Sequence, residues 1–180
     1  MIVVEGPDGC GKSNLVQRLA EDLNLPVAER VVAADTTPMV DINTWIQMNL
    51  DDGWQEVLFD RHRLISEPIY GSVLRERSQL MDVKLETVQT WYYHWQLIDP
   101  IIVICLPPFE TAVRNLAEEQ NNHRLFLQNS QAFRSIYSLY WSYLSSHHQW
   151  HWDYTTDDAD NDYKLLMNLI RVKIKQRRPR

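Results

Sequence analysis

Glycine is scarce in this chain, at five in 180 residues, and cysteine is scarcer, at two. Two thiols make no disulfide framework and no zinc site by themselves, and no metal-ligand spacing completes one. Cys10 lies in a glycine-bearing turn and Cys105 in an apolar run, so both read as reduced thiols of a cytoplasmic protein. No apolar run approaches the ~20 residues needed to span a membrane. Met1-Ile2-Val3-Val4-Glu5 carries neither a charged leader nor a cleavage site, so no secretory signal and no membrane partner are expected. Internal repeats and low-complexity linkers are missing too, which leaves one domain over residues 1–180 as the expectation.

What is present is ordinary in bulk and uneven in detail. The chain is 44% hydrophobic and 23% charged, typical of a globular fold. Its net charge is -6, yet residues 171–180 hold six Lys/Arg and no acid, leaving 12 basic against 24 acidic residues in the rest. A basic tail on an acidic body is a weak nucleic-acid signal, and its plain reading is a solvated terminal helix.

Short apolar runs alternate with longer helical patterns, the mark of an α/β fold around a parallel sheet. Strands are expected at residues 1–4, 27–32, 57–59 (entering Asp60), 101–106 and 150–154. Helices are expected at about 11–23, 40–50, 65–77, 85–97, 110–120, 125–145 and 160–175.

Residues 6–13 read Gly-Pro-Asp-Gly-Cys-Gly-Lys-Ser, between the first strand and the first helix. The pattern Gly6-x-x-x-x-Gly11-Lys12-Ser13 is that of a phosphate-binding loop. Glycines let the backbone wrap an anion closely, and the helix starting near Gly11 adds its positive dipole end. Lys12 has the reach for β- and γ-phosphates, and the Ser13 hydroxyl can ligate Mg²⁺. ATP and Mg²⁺ are therefore the expected ligands. The donor-side set is Gly6, Pro7, Asp8, Gly9, Cys10, Gly11, Lys12, Ser13 and Leu15.

Val57-Leu58-Phe59-Asp60 has the form of a second buried strand ending on a carboxylate. Strand ends converge on the ligand crevice of an open α/β sheet. Asp60 is thus expected to hold Mg²⁺ or its waters together with Ser13, with Arg61 beside it.

Glu5-Gly6-Pro7-Asp8-Gly9-Cys10-Gly11-Lys12-Ser13, then Asp60-Arg61-His62 with Ser66 and Tyr70, then Pro108 and Arg114, resemble in order the motifs of the thymidylate kinase family. The resemblance implies a three-layer α/β/α P-loop NTPase sandwich with a roughly five-stranded parallel sheet. It implies ATP- and Mg²⁺-dependent phosphorylation of a deoxynucleoside monophosphate, dTMP or a related nucleotide. It assigns Asp8 to the acceptor sugar or the metal, and Arg61 to the acceptor phosphate. Ser66 and Tyr70 would shape the acceptor pocket. Arg114, Tyr154 and Thr155 would lie along the donor nucleotide, and a homodimer is a possible assembly.

Two departures mark the acceptor side. The family's arginine- and glycine-bearing loop is replaced by Ala33-Ala34-Asp35-Thr36-Thr37-Pro38-Met39, and Gly71 stands where the family favours glutamine. The compact chain with its altered loop resembles phage-encoded members, whose location would be the host cytoplasm. A second reading is a kinase of the 5-hydroxymethyluracil DNA kinase branch, with DNA as substrate. A third is a P-loop regulator without phosphotransfer.

Arg124 is the one arginine of residues 118–124, the expected lid. With Lys12, Asp8, Asp60 and Arg61 it completes the catalytic set. An anionic acceptor phosphate needs no general base. An alcohol acceptor does, and Asp8, Glu5 and Asp60 are the nearby carboxylates. The aromatic run Trp91-Tyr92-Tyr93-His94-Trp95 divides over several helical faces, so part of it belongs to the core and part is open to acceptor contact. His147, His148 and His151 read as ordinary histidines, and Asp157, Asp158, Asp160 and Asp162 as acids at the start of the final helix.

Overall fold

The computed structural model describes residues 1–28, 42–52, 56–118, 130–147 and 149–177. The described strands are β1 (Ile2–Glu5), β2 (Leu58–Asp60), β3 (Ile101–Cys105) and β4 (Trp150–Trp152). The described helices are α1 (Lys12–Leu23), α2 (Ile42–Asp52), α3 (Arg63–Leu74), α4 (Leu85–Ile98), α5 (Phe109–Glu118), α6 (Ser130–His147) and α7 (Ala159–Arg177). A 3-10 turn spans Gln79–Asp82.

The strands form one parallel sheet in the order β2-β1-β3-β4. β1 is central, with Ile2 opposite Leu58 on one side and Ile101 on the other. Strands covered on both faces must be apolar throughout, and Ile101–Cys105 is buried at every position. The sequence expectation adds a strand at 27–32. Val27 makes a parallel bridge to Leu58, in the place beyond β2, and residues 29–32 lie outside the described set. The last strand ends at Trp152 rather than 154, because Tyr154 enters a turn.

Local chemistry explains the elements that flank the site. α1 buries Leu15, Val16 and Leu19, one stripe at helical spacing. α3 begins two residues earlier than its apolar pattern indicates, because His62 caps it: its Nδ1 accepts the Leu64 N–H at 3.3 Å. Pro68 stands inside α3 and cannot donate to the Leu64 carbonyl. The Tyr92 hydroxyl of α4 donates to that carbonyl instead, at 3.4 Å.

The aromatic run divides as its spacing implies. Trp91 and Trp95 are buried, whereas Tyr92 and Tyr93 are 40% and 59% exposed. Tyr137 and Tyr140 of α6 are buried, and Trp141 is exposed. Asp160 and Asp162 sit in the first turn of α7, where the helix dipole favours negative charge. His148 and the side chain of His147 are outside the described set, as is Arg124. His151 bonds the Leu106 carbonyl at 2.9 Å, and among the described residues no group of three or more His/Cys/Asp/Glu could hold a metal ion. No described helix is long and apolar enough to cross a membrane.

Candidate functional site

All described strands run parallel, so their carboxyl ends share one edge, where β1 turns into residues 6–11. Gly9 and Gly11 take φ of 72° and 75°, a region that side chains disfavour. Space is short as well. A Cβ on Gly9 would stand 2.5 Å from the Ala112 carbonyl oxygen of α5, and one on Gly11 2.7 Å from the Tyr154 ring. The loop is pressed between α5 and the turn after β4.

Lys12 is buried and its ammonium donates to the Pro7 carbonyl at 2.5 Å, inside the loop. Burial pushes its pKa down and the Arg61 charge adds to that, against the pull of Asp8. The Cys10 thiol is pushed up to about 12 by burial, which excludes it as a nucleophile at neutral pH. Ser13, at the start of α1, donates to Asp60 Oδ2 at 3.5 Å. This hydroxyl and carboxylate are hard oxygen donors at the mouth of the loop, a set that fits Mg²⁺ completed by phosphate oxygens and water.

Arg61 follows at the end of β2, with φ of 72°. Its Nη2 donates to Asp8 Oδ1 at 2.5 Å, to the Tyr70 hydroxyl at 2.8 Å and to the Gly6 carbonyl at 3.3 Å. The Tyr70 hydroxyl donates onward to Asp8 Oδ2 at 2.9 Å, closing a triangle. Asp8 and Arg61 side chains are each 14% exposed, so the pair is largely dry yet open to the mouth. Burial works against the Asp8 charge, but Arg61, Lys12 and the Tyr70 hydrogen bond outweigh it and hold the carboxyl at about 2.

Behind this triangle lies Glu5, with no exposure at all. Its Oε1 accepts the His62 N–H at 2.6 Å and its Oε2 the Tyr140 hydroxyl at 2.8 Å. Burial raises the Glu5 pKa, and the His62 N–H, Arg61 and Tyr140 partly offset it. His62 itself is held at about 3 by burial, so its ring is neutral.

On the other side of the loop a cavity of about 500 Å³ opens. Leu15, Arg18, Asn115, Trp152 and Tyr154 line it together with Gly9 and Gly11.

The fold recurs in solved structures. A deoxyadenosine kinase from M. mycoides with bound dCTP superposes with a TM-score of 0.59 at 17% identity, over 96% of this chain and 100% of that one. The YorR protein of Bacillus subtilis, in complex with phosphorylated GDP, reaches 0.69 at 17% identity, over 97% of both chains. The same deoxyadenosine kinase with bound dATP gives 0.58 at 15%. No protein-family model matches the sequence, and no curated protein matches it. The fold is that of a P-loop NTPase, α/β with a parallel sheet flanked by helices.

The structure brings Asp8, Lys12, Ser13, Asp60, Arg61 and Tyr70 to one edge of the sheet. Other expected residues stand apart. Ser66 is buried and spends its hydroxyl on the His62 carbonyl at 3.2 Å. Thr155 is exposed and bonds Asp153. Arg114 is exposed on α5, near enough to Tyr154 for its charge to act on that hydroxyl.

Its neighbour Asn115 makes the contact with the loop. The Asn115 amide donates to the Gly9 carbonyl at 2.7 Å and to the Tyr154 hydroxyl at 2.5 Å. Sequence reasoning did not single out Asn115. It lies one turn beyond Ala112, whose carbonyl faces Gly9, a placement that the rotation of α5 sets and the sequence does not show. Tyr140, one of the aromatics of α6, is more than packing: a buried tyrosine hydroxyl needs a polar partner, and here it is Glu5. Gly71 is explained by space: a Cβ there would stand 2.7 Å from Glu67 Oε1 and 2.8 Å from the Ser78 Cα.

Proposed function

We propose that this chain is an ATP- and Mg²⁺-dependent phosphotransferase, one P-loop kinase domain that phosphorylates a deoxynucleoside monophosphate, dTMP or a related nucleotide, to the diphosphate. The observation that carries this reading is the Arg61 cluster: a second cationic centre, tied to Asp8 and Tyr70, facing the same mouth as Lys12. A protein that only holds a nucleotide has no use for a second anion site.

In this reading the donor's base and sugar occupy the cavity beside Leu15, Arg18 and Tyr154. Its phosphates lie along the loop amides, with Lys12 turned from the Pro7 carbonyl to the β/γ oxygens. Ser13 and Asp60 would hold Mg²⁺, and the chemistry that it would supply there is neutralisation of charge on the transferring group. The planar fork of Arg61 suits the acceptor phosphate, whose oxygens are already anionic. Asp8 and Tyr70 keep the fork in place. Positioning and electrostatics supply the acceleration, and no residue needs to take a proton. Support also comes from the fold neighbours, which hold dCTP, dATP and phosphorylated GDP.

The test is label transfer from ATP in Mg²⁺ buffer, with the four deoxynucleoside monophosphates, the four deoxynucleosides and 5-hydroxymethyluracil-containing DNA offered in parallel. Label is expected in a nucleoside diphosphate, abolished by Lys12→Ala. Label found only in DNA or only in nucleoside monophosphates overturns the acceptor assignment. A wild-type chain that labels none of these acceptors favours the regulator over the kinase.

A further inference from the structure

We propose that Glu5 is a positioning residue: together with Tyr140 it aims Arg61 at the acceptor, and it is not the base of the reaction. The role assigned to Arg61 rests on the kinase reading above.

The argument begins at the end of the β1–β2 ladder. The paired register stops at Val4 opposite Asp60, although β1 runs on to Glu5. The chain beyond Asp60 cannot stay in the sheet, because Arg61 turns into the left-handed region at φ 72°. For a side chain of this size such a conformation is strained and persists only where the surroundings hold it. Two hydrogen bonds bracket the turn. Arg61 N–H donates to the Val4 carbonyl at 2.9 Å, and His62 N–H to Glu5 Oε1 at 2.6 Å. The Glu5 carboxylate thus supplies the acceptor for the first N–H after the turn. Immediately after it the His62 carbonyl accepts from Ile65 and Ser66 N–H, both at 2.9 Å, which starts α3.

The second carboxylate oxygen reaches the same arginine by another route. Glu5 Oε2 takes the Tyr140 hydroxyl at 2.8 Å. The Tyr140 ring stands edge-on to Tyr70, centroids 6.3 Å apart. Tyr70 in turn receives Arg61 Nη2 and gives its hydroxyl proton to Asp8. One carboxylate therefore anchors the arginine's backbone through His62 and its guanidinium through Tyr140 and Tyr70. A base must touch the acceptor, and Glu5 is 0% exposed with both oxygens engaged by protein donors.

Glutamine separates the two roles. Its carbonyl can still accept the His62 N–H and its amide can meet the Tyr140 oxygen, but it takes no proton. Glu5→Gln is expected to lose less than about tenfold in kcat, where loss of a general base costs about 10²–10⁴-fold. Glu5→Ala and the gentler Tyr140→Phe are expected to raise acceptor KM by about tenfold or more, with ATP KM moving far less. A Glu5→Gln enzyme that loses about a thousandfold in kcat at unchanged acceptor KM, and whose pH profile lacks the acid limb of the wild type, overturns the proposal in favour of a base. Equal acceptor KM in all three variants and wild type overturns it as well.

Hydrogen exchange at the His62 amide decides the structural half without any turnover. It should quicken in Glu5→Ala and stay slow in Glu5→Gln; equal protection in the two counts against the anchor. A wild-type chain with no transfer to any acceptor would sink the kinase reading while leaving this exchange result intact.

Discussion

The Ser13 hydroxyl points at the Asp60 carboxylate across 3.5 Å, joining the first turn of α1 to the end of β2. If these two oxygens hold Mg²⁺, Ser13→Ala and Asp60→Asn each weaken apparent Mg²⁺ affinity on the order of 10- to 100-fold. A Mg²⁺ titration of turnover reads the shift. Unchanged half-saturation in both variants would remove the pair from the metal site.

Asn115 spends both amide protons on the donor side, one on the Gly9 carbonyl and one on the Tyr154 hydroxyl. Each hydrogen bond contributes about 1 kcal/mol, so Asn115→Ala should weaken ATP binding by about tenfold or more. The acceptor KM should hardly change. Calorimetric titration with a non-hydrolysable ATP analogue checks this, and wild-type affinity in the variant would contradict it.

Gly71 concerns stability more than recognition. Glu67 is buried behind it, and its Oε1 accepts both Arg75 Nη2 and the Gln79 N–H. Gly71→Gln drives a side chain into that corner and should destabilise the fold by about 1–3 kcal/mol, as other overpacking changes do. Denaturant unfolding measures it. A stable variant with a new preference for thymine would show instead that the position faces the acceptor.

His62 gives the fold a pH dependence with a definite sign. Its folded pKa, about 3, lies below the ordinary 6.5 because burial disfavours the charged ring. The unfolded chain therefore binds the extra proton first, so stability from this group is complete above about pH 6.5 and is lost progressively as pH falls toward 3. His62→Asn keeps a cap for the Leu64 N–H and removes the titration. The variant is expected to be less stable at pH 7, having lost the ring against Trp95, 4.4 Å away between centroids. Its stability should nevertheless change less between pH 7 and pH 5 than that of the wild type. Parallel slopes would mean that other groups set the dependence.

The parts of this protein that could be read from the chain are those written in short, local patterns. Residues 6–13 announce a phosphate loop because backbone sterics and one cation suffice to define it. Asp60-Arg61 could be placed because an apolar strand ends on them. The split of Trp91 and Trp95 from Tyr92 and Tyr93 follows from helical periodicity. Asn115 was hidden because Arg114 beside it has the more eye-catching chemistry, and only the rotation of α5 decides which of them meets the loop. The link between Glu5 and Tyr140 was hidden for another reason. A buried hydrogen bond between a strand end and the middle of α6 leaves no spacing to read. Gly71 seemed a missing contact, and the packing of Glu67 and Ser78 turned it into a steric requirement.

The contacts that assemble the site join distant parts of the chain: 47 residues separate Ser13 from Asp60, 53 separate Asp8 from Arg61, 106 separate Gly9 from Asn115 and 135 separate Glu5 from Tyr140. A growing or partly folded chain therefore owns the loop sequence but none of the pocket. The loop's partners arrive only once the crossovers to β2 and β3 have closed, steps whose entropy makes them slow. If the pocket holds ATP as proposed, nucleotide affinity is a late event in folding, and a fluorescent ATP analogue reports the last step of the chain's assembly rather than the first.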